Sequence, residues 1–253
     1  MDNQFKRIAG EYDKTCSLFN LKNDCLTFVR EKAYLKLICD TKYKLGVIVP
    51  ENVCTDVNVP DNVKLIPIDN NISIDYYFTL LHNFINKDKE PEVNKVGKNC
   101  DIHSTVITDV PGNTYATGPS GERVMMKHMG AVIIGDNVDI APYSVIHTGT
   151  MDSTIIKDGV KIMAMCNIGH NCFIDENTFL MPSVRLAGNT KIGKNCYIWQ
   201  GALIGACSNV CDNVSIGMGS VLLKDITEPG VYFGNPCVYK KPYDGLKKTL
   251  RRI

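Results

Sequence analysis

An aliphatic residue returns at every sixth position through much of the second half of this 253-residue chain. The uninterrupted run consists of Ile156, Ile162, Ile168, Ile174, Leu180, Leu186, Ile192, Ile198, Ile204, Val210, Ile216 and Leu222. Neither an α-helix, with 3.6 residues per turn, nor a single strand, with a period of two, produces this spacing. A parallel β-helix of hexapeptide repeats does, because three hexapeptides complete one triangular coil. The sequence therefore predicts a mainly β fold in which residues eighteen apart stack on each other.

The same register also occurs earlier in the chain, with two interruptions. Its earlier members are Val96, Ile102, Ile134, Ile140 and Ile146. Four extra residues lie between Ile146 and Ile156, and a long glycine-rich insertion lies between Ile102 and Ile134. Insertions in a solenoid commonly gather on one face, where they either form a functional site or cover the surface. The sequence leaves both interpretations open.

Small side chains occupy the fourth position after most of the repeated aliphatic residues. Cys100, Cys166, Cys172 and Cys196 stand there, and we interpret them as reduced thiols that serve as small apolar side chains. The chain has 11 cysteines, an odd number, with no CxxC pair. Because this spacing is not that of a zinc site, we expect no metal.

The composition limits the classes of partner. The net charge is +1, so no global field favours a nucleic acid or a membrane surface. No window approaches the roughly 18–20 apolar residues of a spanning helix, and the segment MDNQFKRIAGEYDK is too polar for a signal peptide. We therefore expect a cytoplasmic protein with no membrane span and no nucleic-acid partner.

The two ends of the chain lack the six-residue period. The segment CLTFVREKAYLKLI predicts a strand followed by a helix, YKLGVIVP and VKLIPID predict two more strands, and SIDYYFTLLHNFIN predicts an amphipathic helix. We therefore predict an N-terminal α/β domain over residues 1–92 and the β-helix over 93–235. A C-terminal tail with a short helical cap is predicted over 236–253.

Several segments resemble the left-handed β-helix N-acyltransferases, a family that includes UDP-3-O-acylglucosamine N-acyltransferase. They are GAVIIGDNVDIAP, HTGTMDSTIIKDGVKI, CNIGHN and LAGNTKIG in the repeat region, and LTFVREKAYLK and VKLIPIDN before it. The resemblance covers nearly the whole chain. It implies a left-handed helix and a nucleotide-binding function for the N-terminal domain.

The resemblance assigns the chemistry to His170 and Gly188. In the family, the histidine of an I-A/G-H-N motif is the catalytic base, and the glycine of an A-G-S/N segment donates its backbone N–H to the oxyanion. The spacing agrees, because Gly188 follows His170 by one coil of eighteen residues. A neutral imidazole can take the proton of a sugar ammonium at pH 7. For His170 considered alone, a surface histidine is the alternative interpretation.

The resemblance also implies that His147, Asp152 and Asn171 bind the substrate. Asp152 stands at the first aspartate of the family's R-G-A-L-D-D-T segment. Ser153 replaces the second aspartate of that segment and Thr148 replaces its arginine. We therefore expect a sugar pocket that differs from that of the lipid A enzymes.

Three residues near the N-terminus match the positions with which the family holds a nucleotide base. Phe28 and Tyr34 stand at the aromatic positions and are expected to stack on the base. Glu31 stands where the family has an asparagine, and a carboxylate accepts hydrogen bonds but cannot donate them. Core packing is the alternative interpretation of the two rings.

Two differences from the lipid A enzymes favour a short acyl group. Cys207 replaces a second pocket histidine, and the tail is shorter than the extension that binds acyl carrier protein in the family. The GNP segment that begins at Gly234 resembles the G-N-P-A segment of CoA-using hexapeptide enzymes. We therefore expect acetyl-CoA, or another acyl-CoA, as the co-substrate, bound by Gly188, Ala206, Gly234 and Lys240.

The expected activity is transfer of an acetyl or short acyl group to the amine of a nucleotide-linked 4-amino-4,6-dideoxyhexose, by a homotrimer. The alternative is UDP-3-O-acylglucosamine N-acylation with acyl carrier protein. A gamma-type carbonic anhydrase would need three histidines, and only His147 and His170 lie in regular coils. A non-catalytic scaffold would leave the resemblance of the N-terminal domain unexplained.

Overall fold

The computed structural model describes residues 3–18, 20–54 and 58–242. These residues form two compact units. The first contains the residues up to Pro91 together with Asn113–Met129, and the second contains Glu92–Gly112 and the residues from Gly130 onward. The middle of the long insertion is therefore part of the first unit.

In chain order, the helices and strands are α1 (Asn3–Glu11), β1 (Cys25–Phe28), β2 (Leu45–Pro50), β3 (Val63–Ile68), α2 (Ile74–Ile85), β4 (Lys95–Val96), β5 (Asp101–Ile102), β6 (Ile107–Pro111), β7 (Tyr115–Thr117), β8 (Arg123–Met125), β9 (Val132–Ile134), β10 (Asp139–Ile140), β11 (Val145–Thr148), β12 (Thr154–Ile156), β13 (Lys161–Ile162), β14 (Asn167–Ile168), β15 (Phe173–Ile174), β16 (Phe179–Leu180), β17 (Arg185–Leu186), β18 (Lys191–Ile192), β19 (Tyr197–Ile198), β20 (Leu203–Ile204), β21 (Asn209–Val210), β22 (Val214–Ile216), β23 (Val221–Leu222), β24 (Gly230–Phe233) and β25 (Val238–Lys241). Short 3-10 helices span Lys32–Leu37 and Glu51–Val53.

The second unit is a three-sided parallel β-helix. Its sheets run β5-β10-β13-β16-β19-β22-β24-β25, β6-β11-β14-β17-β20-β23 and β4-β9-β12-β15-β18-β21. Strands eighteen residues apart pair in parallel register, as Ile168 does with Leu186 and Ile174 with Ile192. The mainly β fold and the stacking predicted from the six-residue period are confirmed.

The repeated aliphatic residues form the core of this prism. Every member from Ile134 to Leu222 is at most 4% exposed, and the small fourth-position residues pack among them. The corners between sheets are turned by single residues with positive φ, such as Asn177, Asn195 and Asn213. Asparagine tolerates this left-handed conformation better than most residues, which explains its recurrence at the corners.

The four extra residues protrude from the prism and do not change the pairing of its strands. Ile140 pairs with Ile162 across 22 residues, whereas Ile162 pairs with Leu180 across 18. The additional four residues form an outward bend around residues 149–152. A Cβ on Gly149 would overlap the carbonyl oxygen of Asp152, so this tight bend requires glycine.

The prism ends in a two-stranded addition to one sheet. β24 continues the sheet in parallel with β22, and β25 pairs with β24 in the antiparallel direction. Tyr239 lies edge-on to Tyr232 at 5.4 Å, and the absence of a side chain on Gly230 leaves room for the Tyr239 ring. The first part of the predicted tail therefore contains a strand, and residues 243–253, where the short helical cap is predicted, lie outside the described residues.

The first unit is built on a small parallel sheet in the order β1-β2-β3, and its strands lie in the three segments that the sequence predicts as strands. The helix expected after β1 is a 3-10 helix, and α2 begins after Ser73, whose side chain accepts from Tyr76 N–H. The insertion contributes the hairpin β7–β8. Asn83 on α2 holds it, donating to Met125 C=O at 2.8 Å and accepting from Lys127 N–H at 2.7 Å. Within the described residues, no helix has the length and apolar character required to cross a bilayer.

We expect the thiols inside the prism to react slowly in the native protein. Cys166, Cys172 and Cys196 are each 1% exposed, and burial raises their pKa to about 11, 12 and 12. For a pKa near 12, on the order of one thiol in ten thousand is ionised at pH 8, and the thiolate is the reactive form. Labelling followed by peptide mass spectrometry should find the exposed Cys207 modified first. Rapid native-state labelling of Cys196 would contradict the register, and a denatured sample serves as the control.

Candidate functional site

His170 and Gly188 lie next to each other on consecutive coils. The pairing of β14 with β17 places them in the same corner, two residues after Ile168 and Leu186. The imidazole packs against the backbone of Gly188. A Cβ built on Gly188 would lie 2.6 Å from His170 Cε1 and closer still to Nε2, so glycine is required here by the ring itself.

The side chain of Asn171 determines which nitrogen of His170 carries the proton. Asn171 Oδ1 accepts from Thr150 N–H at 3.0 Å, and Asn171 Nδ2 donates to Asp152 C=O at 2.6 Å. These two bonds fix the orientation of the amide, because a backbone N–H only donates and a carbonyl only accepts. His170 Nδ1 lies 2.9 Å from Asn171 Oδ1 and must therefore donate to it. In the neutral ring, Nε2 is then the unprotonated nitrogen, and it faces Gly188.

The environment keeps this histidine neutral at pH 7. Burial lowers the pKa of His170 below its ordinary value, and the nearby His147 lowers it further. The hydrogen bond to Asn171 acts in the opposite direction and raises it. A half-buried neutral imidazole with a fixed, unprotonated Nε2 has the properties of a general base.

The Gly188 amide can serve as a hydrogen-bond donor next to this base. Its neighbours Ala187 and Asn189 donate their N–H groups to Ile204 C=O and His170 C=O, at 3.0 and 2.9 Å. In the part of the chain that the structure describes, no acceptor pairs with the Gly188 N–H. An unpaired backbone donor beside a base can stabilise negative charge on a reacting oxygen.

His147 is held on the same sheet by two neighbours. Its Nδ1 donates to Pro111 C=O at 3.2 Å, and its Nε2 lies 3.5 Å from Asn167 Nδ2, at the limit of a hydrogen bond. The backbone oxygen of His147 accepts from Thr154 Oγ1 at 2.7 Å, and Thr154 Oγ1 accepts in turn from Asn171 N–H at 2.9 Å. The predicted residues His147, Asn171 and His170 are therefore brought together in one network.

Asp152 is half-buried in the outward bend, and its backbone is tightly packed. Its carbonyl accepts the amide of Asn171, and a Cβ on either Gly130 or Gly149 would collide with it. The bend that carries Asp152 is thus fastened to the corner that carries His170. The resemblance predicts that Asn171 binds substrate, but its side chain is turned toward Thr150, Asp152 and His170.

Ala206 and Cys207 occupy the same corner one coil further on. Both are exposed, and Cys207 N–H donates to Gly188 C=O at 3.0 Å. The corner positions of His170, Gly188 and Ala206 therefore form one column. The exposed Cys207 thiol lies beside this column, at the corner position that Asn171 occupies two coils earlier.

Gly234 and Lys240 lie at the end of the prism. Gly234 has φ 119° and donates its N–H to Ser220 Oγ at 3.0 Å, and Val221 N–H donates to its carbonyl. The Lys240 ammonium lies 5.6 Å from the centroid of the Phe233 ring, on the exposed hairpin β24–β25. No hydrogen bond among the described residues joins either of them to the network around His170.

The predicted base-binding residues belong to the first unit. Phe28 ends β1, packs on Phe78 with ring centroids 4.5 Å apart, and has the Arg30 guanidinium 5.5 Å from its centroid. Glu31 precedes the 3-10 helix and is exposed, and Tyr34 within that helix is 44% exposed. Phe28 is thus partly committed to packing, whereas the ring of Tyr34 is accessible.

Sequence reasoning missed Thr150, Thr154 and Asn167, although all three position the candidate site. A role for Thr154 could have been suspected from the sequence. Its position, two residues before Ile156, is one where the prism normally has an apolar side chain. Among residues 3–18, 20–54 and 58–242, no three His, Cys, Asp or Glu side chains group as metal ligands do.

Comparison with known sequences confirms the predicted resemblance. Residues 171–206 match the family model described as bacterial transferase hexapeptide (six repeats). A UDP-3-O-acylglucosamine N-acyltransferase of Idiomarina loihiensis is 46% identical over 137 residues, which cover 54% of this chain and 40% of that protein. One of Coxiella burnetii is 40% identical over 139 residues, again 54% and 40% of the two chains. The match therefore spans less than half the length of these curated relatives.

Comparison with solved structures supports the fold. A UDP-N-acetylglucosamine acyltransferase from Bacteroides fragilis superposes with a TM-score of 0.52 at 16% identity, covering 85% of this chain and 69% of that chain. The predicted fold class, a left-handed parallel β-helix of hexapeptide repeats, is confirmed.

We expect the replacement Asn171→Asp to move the acidic limb of the pH profile upward. In the wild type, burial lowers the pKa of His170, so kcat/KM should fall only below the ordinary histidine value of about 6.5. A carboxylate beside Nδ1 favours the imidazolium and should raise that pKa, which moves the limb to higher pH. Asn189→Asp is the matched control, because Asn189 occupies the same corner position one coil on with an exposed side chain. If the acidic limb of the pH profile is unchanged in Asn171→Asp, the contact between His170 and Asn171 does not control the pKa seen in that limb.

We expect Gly188→Ala to lower kcat by about a hundredfold, because its methyl group must displace the His170 ring by a large fraction of an ångström. The backbone itself accepts alanine, since φ of Gly188 is not positive and Ala206 occupies the equivalent position. Circular dichroism should therefore be unchanged. Gly10→Ala, where a Cβ would meet open space, controls for the substitution. A folded Gly188→Ala protein with wild-type kcat would refute the close packing of ring and glycine.

Proposed function

We propose that this protein is an N-acyltransferase that moves an acetyl or other short acyl group from acyl-CoA to the amine of a nucleotide-linked amino sugar, a 4-amino-4,6-dideoxyhexose. The observation that carries the proposal is that the unprotonated His170 Nε2 packs against Gly188, whose backbone N–H has no acceptor among the described residues. A base and an oxyanion donor at one corner are what aminolysis of a thioester needs.

The proposed reaction uses each of these groups once. The sugar amine, in its neutral form, attacks the thioester carbonyl carbon and a C–N bond forms. His170 Nε2 takes the proton that the nitrogen loses, while the Gly188 N–H donates to the oxyanion. The C–S bond then breaks, the CoA thiolate leaves, and the imidazolium returns the proton to it. Asn171 keeps Nδ1 protonated throughout, so the ring enters each cycle with Nε2 ready to accept a proton.

The corner beyond Gly188 supports a CoA thioester as the donor. Ala206 and Cys207 have small side chains and are exposed, so the column above Gly188 leaves the thioester room to approach. Gly234 and Lys240 stand further along the prism, where the resemblance to CoA-using enzymes assigns them to the cofactor. Exposed apolar side chains on the second unit, among them Tyr143, Met165 and Met218, support association as a homotrimer.

The second candidate is UDP-3-O-acylglucosamine N-acylation with an acyl group from acyl carrier protein. It is favoured by the names of the relatives that are 46% and 40% identical over part of this chain. The same base and the same oxyanion donor would serve that reaction. The two candidates therefore differ in the carrier and in the sugar rather than in the chemistry at His170.

The test is a thiol-release assay with acetyl-CoA against a panel of nucleotide-linked amino sugars. The panel contains 4-amino-4,6-dideoxyhexoses linked to GDP, UDP and dTDP, and also UDP-3-O-acylglucosamine. We expect turnover of a 4-amino sugar with acetyl-CoA. His170→Ala should lower kcat by about 10²–10⁴-fold and leave binding of the sugar nucleotide nearly intact. Light scattering on the same preparation tests the proposed homotrimer and should give three times the mass of one chain.

Two outcomes would overturn this assignment. Turnover of the acylglucosamine alone, and only with acyl carrier protein, would establish the second candidate. Full activity in His170→Ala would remove the base on which both candidates depend.

A further inference from the structure

The turn after β1 combines an exposed aromatic ring with an exposed carboxylate. In open parallel sheets, ligands bind beyond the carboxyl ends of the strands. Phe28 is the last residue of β1, and Glu31 and Tyr34 follow directly. This turn therefore lies at the edge of the β1-β2-β3 sheet where a nucleotide would be expected.

The backbone brings Glu31 and Tyr34 together. Tyr34 N–H donates to Glu31 C=O at 3.0 Å, which closes a tight turn at the start of the 3-10 helix. Residues three apart in such a turn have Cα atoms within about 7 Å. A base stacked on the Tyr34 ring would thus lie with one edge within reach of the Glu31 carboxylate.

The carboxylate of Glu31 is available to a ligand, whereas the neighbouring cation is not. Arg30 Nε donates to Asp75 Oδ1 at 2.8 Å, and its guanidinium covers the Phe28 ring. No ion pair or side-chain hydrogen bond joins Glu31 to another residue in the described part of the chain. The ion pair of Arg30 with Asp75, which lies in the first turn of α2, also fixes the turn after β1 to that helix.

We propose that Glu31 reads guanine, so that the amino sugar is carried by GDP. This inference rests on the proposed function, since it names the base of that same substrate. Guanine presents two adjacent donors on its Watson–Crick edge, N1–H and N2–H. A carboxylate has two acceptor oxygens and no donor, and it matches such a pair of donors with two charge-assisted hydrogen bonds.

The other bases do not match a carboxylate in this way. Uracil and thymine present a single N3–H between two carbonyl oxygens, so one carboxylate oxygen would face a carbonyl. Adenine and cytosine present one amino group beside a ring nitrogen that only accepts. Each of these edges would leave one acceptor of Glu31 against another acceptor, a repulsive arrangement that discriminates against the wrong base.

The experiment measures nucleotide binding and turnover on the full chain. Calorimetry with GDP, UDP, dTDP and ADP should find GDP bound about ten- to a hundredfold more tightly than the others, the size of one charge-assisted bidentate contact. In Glu31→Gln, the amide offers one donor and one acceptor, which suits uracil. The variant should therefore lose that preference, through KM for the GDP-linked sugar and not through kcat.

Glu90→Gln is the matched control, since Glu90 is an exposed carboxylate elsewhere in the first unit and its loss changes the net charge equally. Circular dichroism should show both variants folded. Tighter binding of UDP or dTDP than of GDP, or equal binding of all four, would overturn the guanine assignment and leave the acyltransferase in place. If no nucleotide binds and no nucleotide-linked sugar is acylated, the proposed function fails as well.

Discussion

The second unit depends on one constraint: the chain must return to the same corner after each coil. Aliphatic side chains eighteen residues apart touch along the prism axis, so any shift of register would remove each of them from its neighbours above and below. Corner residues with positive φ turn the chain onto the next sheet every six residues, so that it returns to the same corner after eighteen. As a consequence, His170, Gly188 and Ala206 form a column at the strand spacing of about 4.8 Å. The His170 ring and the Gly188 backbone, the proposed base and oxyanion donor, are thereby positioned by the paired strands that flank their corner.

Asn171 joins this architecture to the chemistry. As a corner residue with φ 58° it occupies a conformation that asparagine tolerates well. Its side chain reaches across to the outward bend at Thr150 and Asp152, and its oxygen accepts a hydrogen bond from His170 Nδ1–H. One amide thus fastens the bend, orients the imidazole and selects its tautomer. Both backbone partners of that amide, the Thr150 N–H and the Asp152 C=O, lie in the bend formed by the extra residues.

The period of six is sufficient to predict the prism, its core and the stacking of Gly188 on His170, because each follows from counting along a regular coil. The orientation of Asn171 cannot be counted in this way, since it depends on backbone groups of an irregular bend. Similarly, β25 forms in a segment whose sequence predicts only turns, because the Tyr239 ring packs where Gly230 has no side chain, a contact that exists only in the folded hairpin. Because the segment Asn113–Met129 lies between strands of the prism in the sequence, the sequence predicts that it belongs to the prism. It instead forms hydrogen bonds with Asn83 on α2 and is part of the first unit.

Under the proposed function, the second unit carries out the chemistry and the first unit recognises the nucleotide. Transfer of an acyl group to an amine requires a base, an oxyanion donor and a thioester, whatever nucleotide carries the amine. In the proposal, the base is recognised by Glu31, and exchanging an amide for a carboxylate at such a position replaces a donor with an acceptor. Similarity over part of a chain therefore supports the reaction type more strongly than the substrate. Relatives named for a UDP-linked sugar can share the same coils with this protein while a different base is read by the turn after β1.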